Sequence, residues 1–158
     1  MTRSRPALTT EDYARLAAFR HAVRAFLHFS EEAAAQVGLT GRHYQALLIL
    51  RGWKPGEPVT IADLAQQLFL KHNSTVELVD RLAAEGLLTR QPSSTDGRKV
   101  ELRLTARGMQ VLARLADRHH GELQRIGPEL ERFFHDLTHQ EHPAPAGTVL
   151  RGRSRKEG

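Results

Sequence analysis

The sequence predicts a mainly α chain with a small β-hairpin wing, organised as a winged helix-turn-helix flanked by dimerisation helices. Three observations lead there. Two short segments of helical apolar spacing, 61–68 and a second ending at Ala84, are joined by a tight connection. Two alternating segments enclose the turn-rich run Pro92-Ser93-Ser94-Thr95-Asp96-Gly97. Long helical patterns occupy both ends, at 10–37 and from Thr105 onward.

Composition sets the outer limits. The 158 residues include 23 Lys plus Arg, 18 Asp plus Glu, 9 His and no Cys, for a net charge of +5. That length suits one domain, or one domain with an extension. The absence of cysteine removes disulfide scaffolds, cysteine zinc sites and thiol chemistry together. The longest apolar runs, such as Ala46–Leu50, are too short to cross a bilayer, and Arg3 and Arg5 precede no apolar signal core. The expectation is a cytoplasmic chain. Arg151, Arg153, Arg155 and Lys156 against Glu157 place +3 of the charge in residues 143–158. The rest of the chain is too mildly basic for a purely charge-driven binder, so placement matters more than total.

The first helix, 10–37, is expected to open with Thr10 as cap and with Glu11 and Asp12 in its first turn. Apolar residues recur at Tyr13, Leu16, Phe19, Val23, Phe26, Leu27, Ala34 and Val37, with no Gly or Pro between. At 1.5 Å per residue it would be about 42 Å long, more than a small domain needs for its own core. Ala22, Phe29 and Ala33 widen the apolar surface beyond one stripe, which favours dimerisation over a long core helix. Gly38 ends it, and Thr40 caps a second helix, Gly41–Trp53, with Tyr44, Leu47, Leu48, Leu50 and Trp53 apolar. Lys54–Pro58 is a loop by composition. Thr60 and Asp63 resemble a capping box for a helix presenting Ile61, Leu64, Ala65 and Leu68. The following helix points Thr75, Leu78, Val79 and Leu82 inward and closes at Gly86; a local capping signal, Ser74 with Glu77, argues for a start there.

Leu87–Gln91 then forms a strand, and Val100, Leu102 and Leu104 alternate with Glu101 and Arg103 on the return strand. Thr105 caps a last helix with Met109, Leu112, Leu115, Ala116, Leu123 and Ile126 inward. Gly127-Pro128 is expected to interrupt it before Leu130, Phe133, Phe134 and Leu137. The division is therefore 10–37 and 109–140 for dimerisation, 40–108 for the winged helix-turn-helix, and 143–158 as a disordered basic tail.

Three stretches carry a resemblance: Ile61-Ala-Asp-Leu-Ala-Gln-Gln-Leu68, Ser74-Thr-Val-Glu-Leu-Val-Asp-Arg-Leu-Ala-Ala-Glu-Gly-Leu87, and Asp96-Gly-Arg98 followed by Leu104-Thr105-Ala-Arg-Gly108. Together, in this order, they resemble the MarR family of bacterial transcription regulators, the last being similar to its wing signature. The resemblance implies a homodimeric regulator, a repressor of a palindromic operator on double-stranded DNA, with no cofactor. It also puts the start of the recognition helix near His72. Gly97 departs from the family, which often has a second Arg at that point.

A helix fits the major groove and a hairpin bearing an Arg reaches the adjacent minor groove, so the elements suit DNA on physical grounds too. On the helix, Lys71, His72, Asn73, Ser74, Val76, Glu77 and Arg81 face outward; Asn73 suits adenine edges, Ser74 phosphate or base, and Val76 a thymine methyl. Glu77 and Asp80 sit oddly beside phosphates, and for Asp80 an intramolecular ion pair is expected. On the wing, Arg98 and Lys99 are the cations, with Asp96 holding the Arg98 guanidinium.

Other chemistry is thin. Glu131, His135 and His139 share a helix face with His142 beyond, a weak zinc spacing more consistent with surface histidines. No triad, phosphate loop, dinucleotide fingerprint or carboxylate dyad is present, so an enzyme is not expected. The family resemblance implies an effector pocket for a small aromatic acid, for which His28, Phe29, Arg42, His43, Tyr44 and Trp53 are the candidates by position. The alternatives to a ligand-responsive regulator are an effector-independent architectural DNA-binding protein and a protein-interaction module on the same fold.

Overall fold

A computed structural model describes residues 7–93 and 99–139. Its elements are α1 (Thr10–Ala35), α2 (Gly41–Gly52), β1 (Val59–Thr60), α3 (Ile61–Leu68), α4 (His72–Ala84), β2 (Leu88–Pro92), β3 (Val100–Leu104) and α5 (Ala106–His139). The expected mainly α fold with a small antiparallel sheet is present. The tail at 143–158 lies outside the described residues.

Helix starts follow reciprocal capping. Thr9, one residue before the expected Thr10, caps α1, because only from Thr9 does Asp12 stand at the third helical position and return a bond to the cap backbone. Thr40 with His43 and Thr60 with Asp63 repeat the arrangement at α2 and α3. Glu31 of α1 also accepts the Gly41 N–H at 2.8 Å, and a side chain at Gly41 would meet that carboxylate at 2.9 Å. The first helix thereby holds the second by its N-terminus.

α4 begins at His72, with Lys71 as a cap that makes no side-chain bond, so the Ser74 and Glu77 signal lies inside the helix and is not used. Packing decides the start: Thr75 is fully buried with Val79 and Leu82, and its hydroxyl donates to the Lys71 carbonyl at 3.1 Å. A start at Ser74 would unwind the turn that makes this bond.

The sheet has three strands in the order β1-β3-β2, with Val59 opposite Leu102 and Arg90 opposite Leu102 from the other side. Two-residue β1 has no alternation to betray it, and it corrects the burial expected of β3. Glu101 is 4% exposed, whereas Val100 is 39% exposed. With β1 alongside and the Arg103 guanidinium 3.4 Å away, Glu101 is covered on the face that alternation alone assigns to solvent.

α5 runs unbroken through Gly127-Pro128. Proline removes one N–H, but the carbonyl it deprives, on Gln124, belongs to an exposed residue that water can serve, and Gly127 has no Cβ to clash with the ring. Antiparallel packing against α1 shows in Phe19 on Phe133, centroids 4.6 Å apart, and in Ser30 bonded to His119. Leu47, Leu64, Leu82, Leu88 and Leu115 form the centre of the core, where α2, α3, α4, the sheet and the first half of α5 meet. The outer surfaces of α1 and α5 remain apolar. Tyr13, Leu16, Val23 and Leu27 are exposed on α1, and Met109 and Leu123, expected inward, are 48% and 45% exposed on α5.

Candidate nucleic-acid interface

The recognition face is built by exclusion. Thr75, Leu78, Val79 and Leu82 turn one side of α4 into the core, which leaves Lys71, His72, Asn73, Ser74, Glu77, Asp80 and Arg81 exposed and Val76 half-buried. His72, Asn73 and Ser74 of the first turn and the positive end of the helix dipole lead this face. Asp80 makes the intramolecular pair expected of it: Arg90 of β2 binds its carboxylate at 2.5 Å and also reaches the Val76 carbonyl at 3.5 Å. Arg90 therefore ties β2 to α4 and neutralises Asp80.

The Leu104-Thr105-Ala-Arg-Gly108 stretch has a mechanical explanation. Thr105 donates its N–H to the Leu87 carbonyl at 3.1 Å and its hydroxyl to the Gly86 carbonyl at 2.6 Å, while that hydroxyl accepts the Gly108 N–H at 2.9 Å. A Cβ at Gly108 would lie 1.9 Å from the Leu87 oxygen. The start of α5 is thus pressed onto the corner between α4 and β2, where Gly86 has φ +68°. This lock fixes the hairpin relative to the recognition helix. The hairpin closes with Ser93 N–H donating to Lys99 O at 2.9 Å, and Lys99 is exposed. Asp96 and Arg98 lie outside the described residues.

The six effector candidates do not converge on one pocket. Tyr44 is buried and stacks on His119 at 4.0 Å, with Phe29 edge-on to the same ring at 5.5 Å. His28 is exposed beside Glu32, Arg42 is exposed, and Trp53 lies at the far end of α2. The physical reason is helix length: α2 separates Tyr44 from Trp53 by most of three turns. His43 is consumed by capping, its Nδ1 accepting the Thr40 N–H at 3.1 Å. Burial and then the Arg81 charge lower its pKa from 6.5, opposed by Glu31 and Glu85.

The buried packing role of His119 is what sequence reasoning missed. His119 is 4% exposed, its Nδ1 donates to the Leu115 carbonyl at 2.6 Å, and its Nε2 is hydrogen-bonded to the Ser30 hydroxyl at 2.9 Å. The ring thereby joins α1, α2 and α5 at one point. The signal was its place, four residues after Leu115 and four before Leu123, on the apolar stripe. His135 is exposed beside Asp136; the His139 side chain and His142 lie outside the described residues, and among the described residues no three metal-binding side chains cluster.

Comparison with known proteins places this geometry. The family model described as MarR family matches residues 37–99. The organic hydroperoxide resistance transcriptional regulator of Bacillus subtilis is 30% identical over 82 residues, 52% of this chain and 54% of that protein. The matches span about half the length of the curated relatives. Among solved structures, AbsC of Streptomyces coelicolor, a MarR family transcriptional regulator, superposes with a TM-score of 0.69 at 20% identity, over 85% of this chain and 93% of that one. A single-residue variant of Staphylococcus aureus MepR bound to an oligodeoxyribonucleotide gives 0.60 at 20% identity, over 84% of this chain and 95% of that one. These structural likenesses show the fold. No helix among the described residues is long and apolar enough to cross a membrane.

Proposed function

We propose that the chain, whose residues 37–99 match the MarR family model, is a transcription regulator that binds double-stranded DNA as a homodimer and acts as a ligand-responsive repressor of a palindromic operator. The observation that carries this reading is the exposed leading face of α4, Lys71 to Glu77, held in register with a hairpin wing by the Thr105 lock and by Arg90. A helix so presented enters the major groove with its N-terminal residues at the base edges, while the wing lies over the neighbouring backbone. Lys71 neutralises phosphate, Asn73 and Val76 read bases, and Arg98 with Lys99 hold the wing to the backbone or minor groove.

The apolar surface left on α1 and α5 supports the homodimer, since Leu16, Val23, Leu27 and Leu123 stay exposed in one chain. Two-fold symmetry in the protein would be mirrored by the operator. The MepR variant with the same fold is bound to an oligonucleotide, which agrees with DNA as the partner. Anisotropy titrations of the DNA upstream of the gene against scrambled DNA, across salt concentrations, test the reading. Expected is a salt-dependent affinity for both with a preference for the upstream sequence that persists at every salt; equal affinity throughout would leave only the architectural reading.

A further inference from the structure

We propose that this chain takes up a proton at His72 as it binds DNA, because His72 and Lys99 close on one backbone phosphate across the cleft between α4 and the hairpin. The inference rests on the DNA-binding reading and adds to it a dependence on pH.

The cleft has a volume of about 490 Å³ and is lined by residues 60–63 at the start of α3, by His72 at the start of α4, and by Lys99 and Val100 of the hairpin. Its two basic side chains come from different elements. His72 and Lys99 are both exposed, and neither side chain makes a hydrogen bond or an ion pair with another described residue. The other charges around them are engaged. Asp63 serves the α3 cap, one carboxylate oxygen accepting the Thr60 N–H at 2.9 Å and the Thr60 hydroxyl at 2.6 Å. Arg90 and Asp80 pair with each other about two turns further along α4. Lys71, exposed, precedes His72 on the chain.

DNA presents a single fixed negative charge at every step of each strand. A chain that lays α4 in the major groove and the hairpin over the neighbouring backbone brings a strand across the gap between these two elements. A phosphate there would meet His72 from one side and Lys99 from the other. With a neutral imidazole the lining carries one positive charge, on Lys99, and one negative charge, on Asp63. Only an imidazolium leaves the cleft cationic. Imidazole is the ordinary side chain whose charge changes between pH 5 and 8, a neighbouring anion favours its charged form, and that form donates to phosphate in a charge-assisted bond. Binding therefore draws in one proton per protomer.

Anisotropy titrations of the full-length protein from pH 8.5 to 6.5 at constant ionic strength, on the duplex from upstream of its gene and on a scrambled duplex, test this. Over that range the lowered pKa of His43 keeps its cap neutral. Expected is an affinity that rises as pH falls, on both duplexes alike, since a phosphate carries no sequence. An imidazole that holds its proton about tenfold more tightly beside a phosphate gives a rise of roughly fivefold per protomer. His72→Gln should flatten the profile at the weak, high-pH level, and His72→Arg, a permanent cation, should flatten it at the tight level. A purely structural histidine would not produce that pair of levels. Lys99→Ala should weaken binding at every pH and lower the salt slope while keeping the pH profile. A flat profile in the parent, or a slope that survives His72→Gln, would overturn the proton uptake. A slope confined to the upstream duplex would make His72 a base reader and overturn the phosphate contact, as would displacement of DNA by inorganic phosphate at matched ionic strength, the mark of a free-anion site. Binding to neither duplex at any pH would instead remove the DNA-binding reading on which the inference stands.

Discussion

Gly108→Ala is the sharpest probe of how the wing is held. The added Cβ would lie 1.9 Å from the Leu87 oxygen and 2.9 Å from its carbon, so helix and corner must part by at least 1.1 Å to bring the shorter contact to 3.0 Å. Both partners are backbone, with no flexible side chain to yield. Overpacking of this kind costs about 1–3 kcal/mol. The separation also stretches Thr105 N–H to Leu87 O and Thr105 hydroxyl to Gly86 O, each contributing about 1 kcal/mol. Alanine returns about 1 kcal/mol through its better helix propensity. The net expectation is a loss of about 2–4 kcal/mol. Gly121, on the same helix with nothing within 4 Å of its would-be Cβ, is the control. Gly121→Ala should stabilise by up to about 1 kcal/mol. Urea unfolding of both variants at one fixed protein concentration compares them directly. If Gly108→Ala is neutral or stabilising, the close approach is not the reason for glycine at that position.

Asn73→Ala should relax sequence preference at one base pair by about 1–3 kcal/mol, whereas Arg98→Ala should weaken binding to all DNA and lower the salt slope by about 1; equal losses on specific and scrambled DNA from both would remove α4 as the reader. Leu16→Glu with Val23→Glu should produce a monomer in sedimentation, because both exposed residues belong to the apolar surface of α1, and an unchanged dimer would place the interface elsewhere. The lowered pKa of His43 means that the unfolded chain takes its proton first, so stability is full above pH 6.5 and falls as pH drops below it. His43→Asn, which keeps an acceptor for the Thr40 N–H, should flatten that fall in urea titrations from pH 7.5 to 5; identical slopes would show that the cap does not titrate.

Much of the fold was legible because local chemistry and long-range packing agree in it. Thr40 and Thr60 cap where the sequence says, and Gly86 turns where glycine is needed. Disagreement arose where packing overrides a local signal. Ser74 and Glu77 form a plausible cap, yet burying Thr75 outweighs it. Alternation put Glu101 outside, and only the pairing of distant Val59 and Thr60 with β3 covers it. Pro128 breaks helices in general, but in an exposed stretch preceded by glycine its cost is small. The exposed face of α4 was readable since it is the complement of an apolar stripe. The proposed effector residues were not, because sequence neighbours on a helix need not share a cavity: Trp53 lines the cleft beside β3, whereas Tyr44 is packed in the core against His119.

Hydroxyl-radical footprinting of the full-length protein on the DNA upstream of its gene tests the central claim most directly. A dimer presenting two copies of α4 should protect two related half-sites centred about 10–10.5 base pairs apart or a multiple of that, with Lys71→Ala weakening both patches together. Protection spread evenly along the fragment, or a single unpaired patch, would contradict a two-fold reader of DNA.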